Sequence, residues 1–207
     1  MKTDRRALPF ILAMALVVTI SNVLVRFPFD HFGLKDILTW GAFSYPFAFL
    51  VTDLANRRHG MIVTRRTIWA GFGLAVLLSL WLATPRIAIA SGSAFLAAQF
   101  LDAFVFDRLR NSQWWQAPLL STIAGSVLDT AMFFSLAFAA PFAILDTMAG
   151  LPDGSLGFAV PFFTGEAPLW VSLAAGDFMI KIGCGLALLA PYRVFVSNWL
   201  AGAANNQ

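Results

Sequence analysis

Five ionisable side chains stand within stretches of sequence that are otherwise apolar: Asp53, Asp102, Asp129, Asp177 and Lys181, accompanied by the amide of Gln99. A charge at the middle of a bilayer costs at least ~2.5–3.5 kcal/mol on insertion scales, so an ionisable group at depth points to function. Carboxylates and an ammonium there can grip a polar solute or carry a proton. Two acids that pair can also support aspartyl chemistry. The competing account is structural: polar side chains bind membrane helices to one another, and Asp177 with Lys181, acid before base at four residues, suits a local ion pair. Simple helix glue uses amides and hydroxyls, so four carboxylates together argue for more than glue.

Helical spacing sorts these groups into stripes. Tyr45, Phe49, Asp53 and Asn56 share a face. So do Phe95, Gln99, Asp102 and Phe106, then Thr122, Ser126, Asp129 and Phe133, and finally Trp170, Ala174, Asp177, Lys181 and Cys184. Each stripe is polar with aromatic edges, and the economical arrangement turns the four stripes inward around a pocket. The candidate binding residues are therefore Tyr45, Phe49, Asp53, Phe95, Gln99, Asp102, Ser126, Asp129, Phe133, Asp177 and Lys181, with Arg86 as a further donor. Trp170 is a further aromatic candidate for the pocket. Asp53 and Asp102, nearer the basic loops, are candidates for a proton or gating role.

The elements that must carry these stripes are membrane helices. Hydrophobic types make up 59% of the 207 residues and charged types 12%, against roughly 45–50% and about 25% in a soluble domain. That excludes a soluble enzyme, a disordered tail and a nucleic-acid-binding domain. Cys184 is the only cysteine, so neither an internal disulfide nor a zinc motif can be built. Six segments are long and apolar enough to span: about 7–25, 37–55, 67–84, 90–106, 118–140 and 168–190. They leave no room for a second domain, so residues 1–207 read as one all-α integral membrane unit. The first run is too long for a signal-peptide core, and Arg26-Phe27-Pro28 rather than a small-residue cleavage site follows it.

With six spans, Lys2, Arg5, Arg6, Arg57, Arg58, Arg65, Arg66, Arg108, Arg110 and Arg193 fall on one side, and only Arg26, Lys35 and Arg86 on the other. The positive-inside bias then places both termini in the cytoplasm, in a multi-pass protein of the inner membrane. It also accounts for the pI of 9.5 without a nucleic-acid partner. Trp69, Trp81, Trp114, Trp115, Trp170 and Trp199 fall near the predicted helix ends, as interfacial anchors do. The expected partners are the lipid bilayer and a small molecule, and the apolar outer surface permits a homodimer.

Equipment for catalysis is missing. His31 and His59 lie in predicted loops, and there is no GxSxG, HExxH or Walker motif. No catalytic residue, metal ligand or cofactor site is expected. A carrier needs a polar pocket near the midplane with a few placed donors and acceptors, which the stripes supply. The alternatives are a small membrane subunit with an assembly role, or a carrier of another purine-like or vitamin-like solute.

Several motifs carry a family resemblance. They begin with Thr39-Trp40-Gly41-Ala42-Phe43, Pro46, Phe49-Leu50 and Thr52-Asp53-Leu54, then Arg65-Arg66, Arg86-Ile87-Ala88 and Ala90-Ser91. Gln99, Leu101-Asp102, Phe106, Arg108-Leu109-Arg110, Trp114-Trp115 and Ala117-Pro118 follow. The series ends with Ser121-Thr122, Gly125, Asp129-Thr130, Phe133-Phe134, Asp177, Lys181 and Pro191. In order and spacing, over about 37–193, the chain resembles the queuosine precursor transporters, a six-span vitamin-uptake-like family. The resemblance implies import of a 7-deazaguanine, preQ0 or preQ1, and a fold like the substrate-binding subunits of energy-coupling-factor importers.

The residues suit such a cargo on independent grounds. A guanine-like edge offers two parallel N–H donors that match a carboxylate. Its carbonyl wants a donor such as Lys181, Gln99 or Arg86. Its ring faces want aromatics such as Phe49, Phe95, Phe133 or Tyr45, and stacking is worth about 1–3 kcal/mol per base. Asp129 and Asp177 are both candidates for the edge contact.

Overall fold

The structure is a computed structural model that describes residues 2–31, 38–162 and 165–204. The chain is mostly helical: α1 (Lys2–Leu24), α2 (Trp40–Ser44), α3 (Phe47–His59), α4 (Met61–Leu82), α5 (Pro85–Leu109), α6 (Gln116–Phe138), α7 (Ile144–Met148) and α8 (Leu169–Ala204). Five helices among the described residues are long and apolar enough to cross a membrane: α1, α4, α5, α6 and α8. The second predicted span is divided. Pro46 has no N–H to give to the carbonyl one turn back, and the helix is interrupted at Tyr45-Pro46, both still in right-handed helical conformation. Lys35 and the start of that span at residue 37 lie outside the described residues.

Two further differences from the sequence expectation concern the last third of the chain. Between the fifth and sixth predicted spans, where residues 141–167 are expected as a loop, lie a short 3-10 turn (Ala140–Phe142), α7, and an antiparallel pair of strands, β1 (Ala159–Phe162) and β2 (Gly165–Pro168). Ala159 lies opposite Pro168, and Phe162 opposite Gly165. The final helix does not stop near 190 but continues through Pro191 to Ala204, so Arg193 lies on a helix rather than in a tail.

Helix ends follow local chemistry. Thr84 caps α5, its side chain accepting from the Ile87 amide, and Pro85 occupies the first turn, where its missing N–H is harmless. Gly60, at φ +73°, makes the abrupt turn from α3 to α4. The bundle has two distinct ends. Arg57, Arg58, Arg108 and Arg110 mark one, with the start of α1 beside them through the Phe10–His59 ring contact. The strand pair and α7 mark the other.

α3 is central, packed against α1, α4, α5, α6 and α8. One apolar core joins Met14 and Val18 of α1, Ala48 and Val51 of α3, Ile68 and Ala75 of α4, and Phe95 and Ala103 of α5. Two glycines let helices close up. A Cβ on Gly71 would lie 2.6 Å from Met14 Cγ and 3.0 Å from Phe95 Cζ. One on Gly125 would lie 2.8 Å from Phe49 Cε1 and 3.2 Å from Asp102 Cβ.

The distribution of polarity is inverted relative to a water-soluble domain. Leu8, Leu12, Leu16, Ile20 and Val23 form an exposed row down α1, and Leu77, Leu80, Met179, Leu186 and Val194 are also exposed. Thr52, Asp53, Asn56, Gln99, Asp102, Ser121, Ser126, Asp129 and Lys181 are buried. A bilayer imposes this sorting, because lipid solvates leucine well and a carboxylate badly.

Candidate binding site

The antiparallel fit of α3 against α6 organises the interior. Tyr45 meets Asp129, Phe49 meets Gly125, and Asp53 meets Ser121. Each step of four residues along the α2–α3 segment is matched by a step of four back along α6. At 1.5 Å per helical residue, the first and last of these contacts lie about 12 Å apart along the bundle. The polar residues thus fall into two levels with Phe49 between them.

The upper level is an ion cluster. Lys181 Nζ lies 2.5 Å from Asp129 Oδ2 and 2.5 Å from Asp177 Oδ2. It also donates to Thr130 Oγ1 at 3.3 Å, so all three ammonium protons have acceptors. Thr130 donates to Asp177 Oδ2 at 3.0 Å, and the Tyr45 hydroxyl to Asp129 Oδ1 at 3.4 Å. The Tyr45 ring lies 5.4 Å from the ammonium. Both oxygens of Asp129 are engaged. Asp177 Oδ1 makes no hydrogen bond among the described residues, and its side chain is 14% exposed against 6% for Asp129.

This cluster borders a cavity of about 390 Å³, a size suited to a small organic molecule. Its wall takes Ser21, Asn22 and Val25 from α1, Thr39, Gly41, Ala42 and Tyr45 from the α2 region, and Ile87 and Ser91 from α5. Asp129, Phe133, Phe134 and Phe138 come from α6, and Leu173, Asp177 and Lys181 from α8. The cavity lies toward the end of the bundle that carries the strand pair, where α1 and α6 finish and α2, α5 and α8 begin.

The lower level holds Thr52, Asp53, Gln99, Asp102 and Ser121. Thr52 Oγ1 is 3.0 Å from Gln99 Oε1 and 3.4 Å from Asp102 Oδ2, and Ser121 Oγ is 3.3 Å from Asp53 Oδ1. Beneath it, Leu54, Phe106, Ala117 and Tyr192 close the bundle. Arg57 Nε donates to the Tyr192 hydroxyl at 2.7 Å, and its Nη1 to the Arg110 carbonyl.

Of the residues expected to form one pocket, Tyr45, Asp129, Phe133, Asp177 and Lys181 line the cavity. Phe49, Asp53, Gln99, Asp102 and Ser126 do not; they lie deeper, because four stripes of this length cannot all meet at one height. Phe95 is also displaced from the expected pocket, its ring buried in the α1–α3–α4–α5 core. Trp170 is absent from the wall, and Leu173 of the same helix is present.

Arg86 has a different position from the one expected. Its side chain is 1% exposed and is consumed by the Leu136 carbonyl (2.9 Å), the Ala139 carbonyl (2.7 Å), Asp146 (2.6 Å) and Ser155 (3.2 Å). It clasps the segment after α6 to the start of α5. The hydrogen bond from Arg86 holds the Asp146 carboxyl below the usual carboxylate range, helped by the Gly154 amide. Stripe reasoning missed the wall residues Ser21, Asn22 and Ser91, and also Thr130. Thr130 adjoins Asp129 in sequence but faces α8, and the polar pair Ser21-Asn22 near the end of an apolar helix was the available signal.

The family model for a "Putative vitamin uptake transporter" matches residues 39–196. A protein of Escherichia coli named "Queuosine precursor transporter" is 42% identical over 89% of this chain and 83% of its own length. The chain belongs to this transporter family. A Haemophilus influenzae protein named "Probable queuosine precursor transporter" is 30% identical over 88% of this chain and 82% of its own. A Bacillus subtilis protein of the same name is 25% identical over 57% and 63%. No solved structure matches the chain significantly.

Proposed function

We propose that this family member imports a queuosine precursor, a 7-deazaguanine such as preQ0 or preQ1, into the cytoplasm, and that the cavity above the Lys181 cluster is its binding site. The carrying observation is a 390 Å³ cavity that combines aromatic walls with a buried lysine and two carboxylates. The first relative's name supports the choice of cargo.

In this reading the two acids have separate tasks. Asp129, with both oxygens occupied, holds Lys181 in place. Asp177 keeps an open oxygen toward the cavity, and this oxygen accepts from the N–H edge of the heterocycle. Phe133, Phe134 and Tyr45 supply faces for the ring, and the hydroxyls of Ser91 and Thr39 are candidates for its carbonyl. Because such a site rests on hydrogen bonds, analogues that lack the N–H edge leave a buried carboxylate unpaired and are rejected.

The divided α2–α3 segment counts as the sixth span, with both termini in the cytoplasm. Arginines cluster where α3, α5 and the loop to α6 meet, as a cytoplasmic face requires. The cavity then faces outward, with the Tyr192–Arg57 end closed. An architecture like the substrate-binding subunits of energy-coupling-factor importers and a place in the inner membrane belong to the same proposal.

Calorimetry on the purified protein tests it. Binding of preQ0 or preQ1 is expected, with affinity reduced about tenfold or more in Asp177→Asn, the equivalent of one hydrogen bond to a charged group. Absence of binding by every 7-deazaguanine tried would leave the assembly-subunit reading standing.

A further inference from the structure

The lower level is left without a task by the binding site above it. Asp53 of α3 and Asp102 of α5 are 2% and 0% exposed, and their carboxyl groups lie within hydrogen-bonding reach of each other, with the Ser121 hydroxyl 3.3 Å from Asp53 Oδ1 and the Thr52 hydroxyl 3.4 Å from Asp102 Oδ2. No ammonium or guanidinium is ion-paired to either acid among the described residues. Asp102 Oδ1 and the Gln99 amide nitrogen, both fully buried, have no hydrogen-bond donor or acceptor partner among the described residues. Two carboxyl oxygens attract each other only across a proton, since two carboxylates at that distance repel.

We propose that Asp53 and Asp102 form a proton-binding pair, a second ligand site beneath the cargo cavity, and that its proton is coupled to cargo movement. The inference rests on the transporter reading. The bound proton sits between the two carboxyl groups, shared from one to the other. It enters from water on the outer side, leaves to water on the inner side, and no other bond is made or broken.

The surroundings suit that task. Phe49, buried against Gly125, separates the pair from the cargo cavity, so proton and cargo are not exchanged through one open channel. Beside Asp53 there is a void of about 10 Å³, bordered by Pro46, Leu50, Thr122 and Tyr192, roughly the space of a single water. Among the described residues, Arg57 of α3 and Tyr192 of α8 act on Asp53, with Arg110, just past α5, beside Tyr192; α6 offers the Ser121 and Thr122 hydroxyls there. Arg57 is held by Tyr192 and the Arg110 carbonyl, and Arg110 by the carbonyls of Asn56 and Arg57. The cations therefore have other acceptors, and the pair is left to a proton.

Proteoliposomes containing the whole protein, a pH dye inside and a clamped membrane potential test the proposal. The cargo is preQ0, whose nitrile carries no proton of its own. With the outside about one pH unit more acidic, preQ0 is expected to accumulate inside up to about tenfold, the limit for one proton per cargo, while the interior acidifies in step. Asp53→Asn and Asp102→Asn are expected to bind preQ0 like the parent protein and to exchange it for preQ0 inside, but to lose accumulation and the dye signal. Loss of preQ0 binding by the parent protein would instead count against the transporter reading itself. Equal concentrations on both sides despite the gradient, accumulation that follows sodium instead, or an unchanged pH response in both variants overturns the proton pair. If the Asn variants do not fold, Ser121→Ala keeps both acids. It is expected to move the pH midpoint of uptake by about half a unit or more, and an unmoved midpoint is contrary to the proposal.

Discussion

Lys181 of α8 and Asp129 of α6 form a 2.5 Å ion pair at the cavity floor, with side chains 5% and 6% exposed. A buried pair of this kind is poor evidence of stability, since desolvation offsets most of the attraction. Its consequence is geometric: it fixes the ammonium beside Asp177, the more exposed of the two acids in the cavity wall.

Removing the lysine, which both acids share, is therefore expected to be costly. Lys181→Met leaves the buried Asp129 carboxylate and the partly buried Asp177 carboxylate without their shared cation, and a loss of about 3–5 kcal/mol is expected, the range for breaking a buried pair. The double variant Asp129→Asn with Lys181→Met should recover part of that loss while binding stays absent. Denaturation in detergent micelles measures both; a double variant no more stable than Lys181→Met would show that the two side chains are not coupled.

Asp129→Asn alone should reach the membrane in normal amount and abolish precursor uptake, because the lysine loses one of its two carboxylate partners. Uptake assayed in cells that depend on external precursor gives the answer, with membrane content measured in parallel. Unaltered uptake would remove Asp129 from the site.

The clasp between Arg86 and Asp146 has a pH dependence whose sign follows from the lowered carboxyl. A depressed acid contributes its stabilisation above its unfolded value, near 3.9, and loses it as pH falls through the still lower folded value. Residues 139–157 should stay protected from amide exchange at pH 5 and open only below about pH 4. Asp146→Asn should expose them at neutral pH as well. Protection equal to the parent protein at neutral pH would mean that the carbonyls of Leu136 and Ala139 hold the clasp without the acid.

Gly125 is the contact point for Phe49 of α3 and Asp102 of α5. Gly125→Ala should destabilise by about 1–3 kcal/mol through overpacking. Gly73→Ala, where a Cβ meets nothing within 4 Å, serves as the neutral control. Thermal melting of the two variants side by side separates a local clash from a general effect of replacing a membrane glycine.

Much of this protein was legible without a structure. Long apolar runs and the cost of charge in lipid determined a mostly helical membrane unit. Period-3.6 spacing placed Asp53, Gln99, Asp102, Asp129, Asp177 and Lys181 on inward faces, because those are the only faces that shield them. The ordered motifs from Thr39 to Pro191 carried the family. Spacing along one helix carries no information about height relative to its neighbours, however. Only the packed bundle decided that Tyr45 meets Asp129 while Asp53 meets Ser121, which divides one expected pocket into two levels. Tertiary contacts alone also decided that Arg86 is spent on Asp146 and the carbonyls of Leu136 and Ala139, and that Phe95 fills a core. The same side chain can serve either purpose, and the choice depends on which acceptors and surfaces the other helices bring within reach.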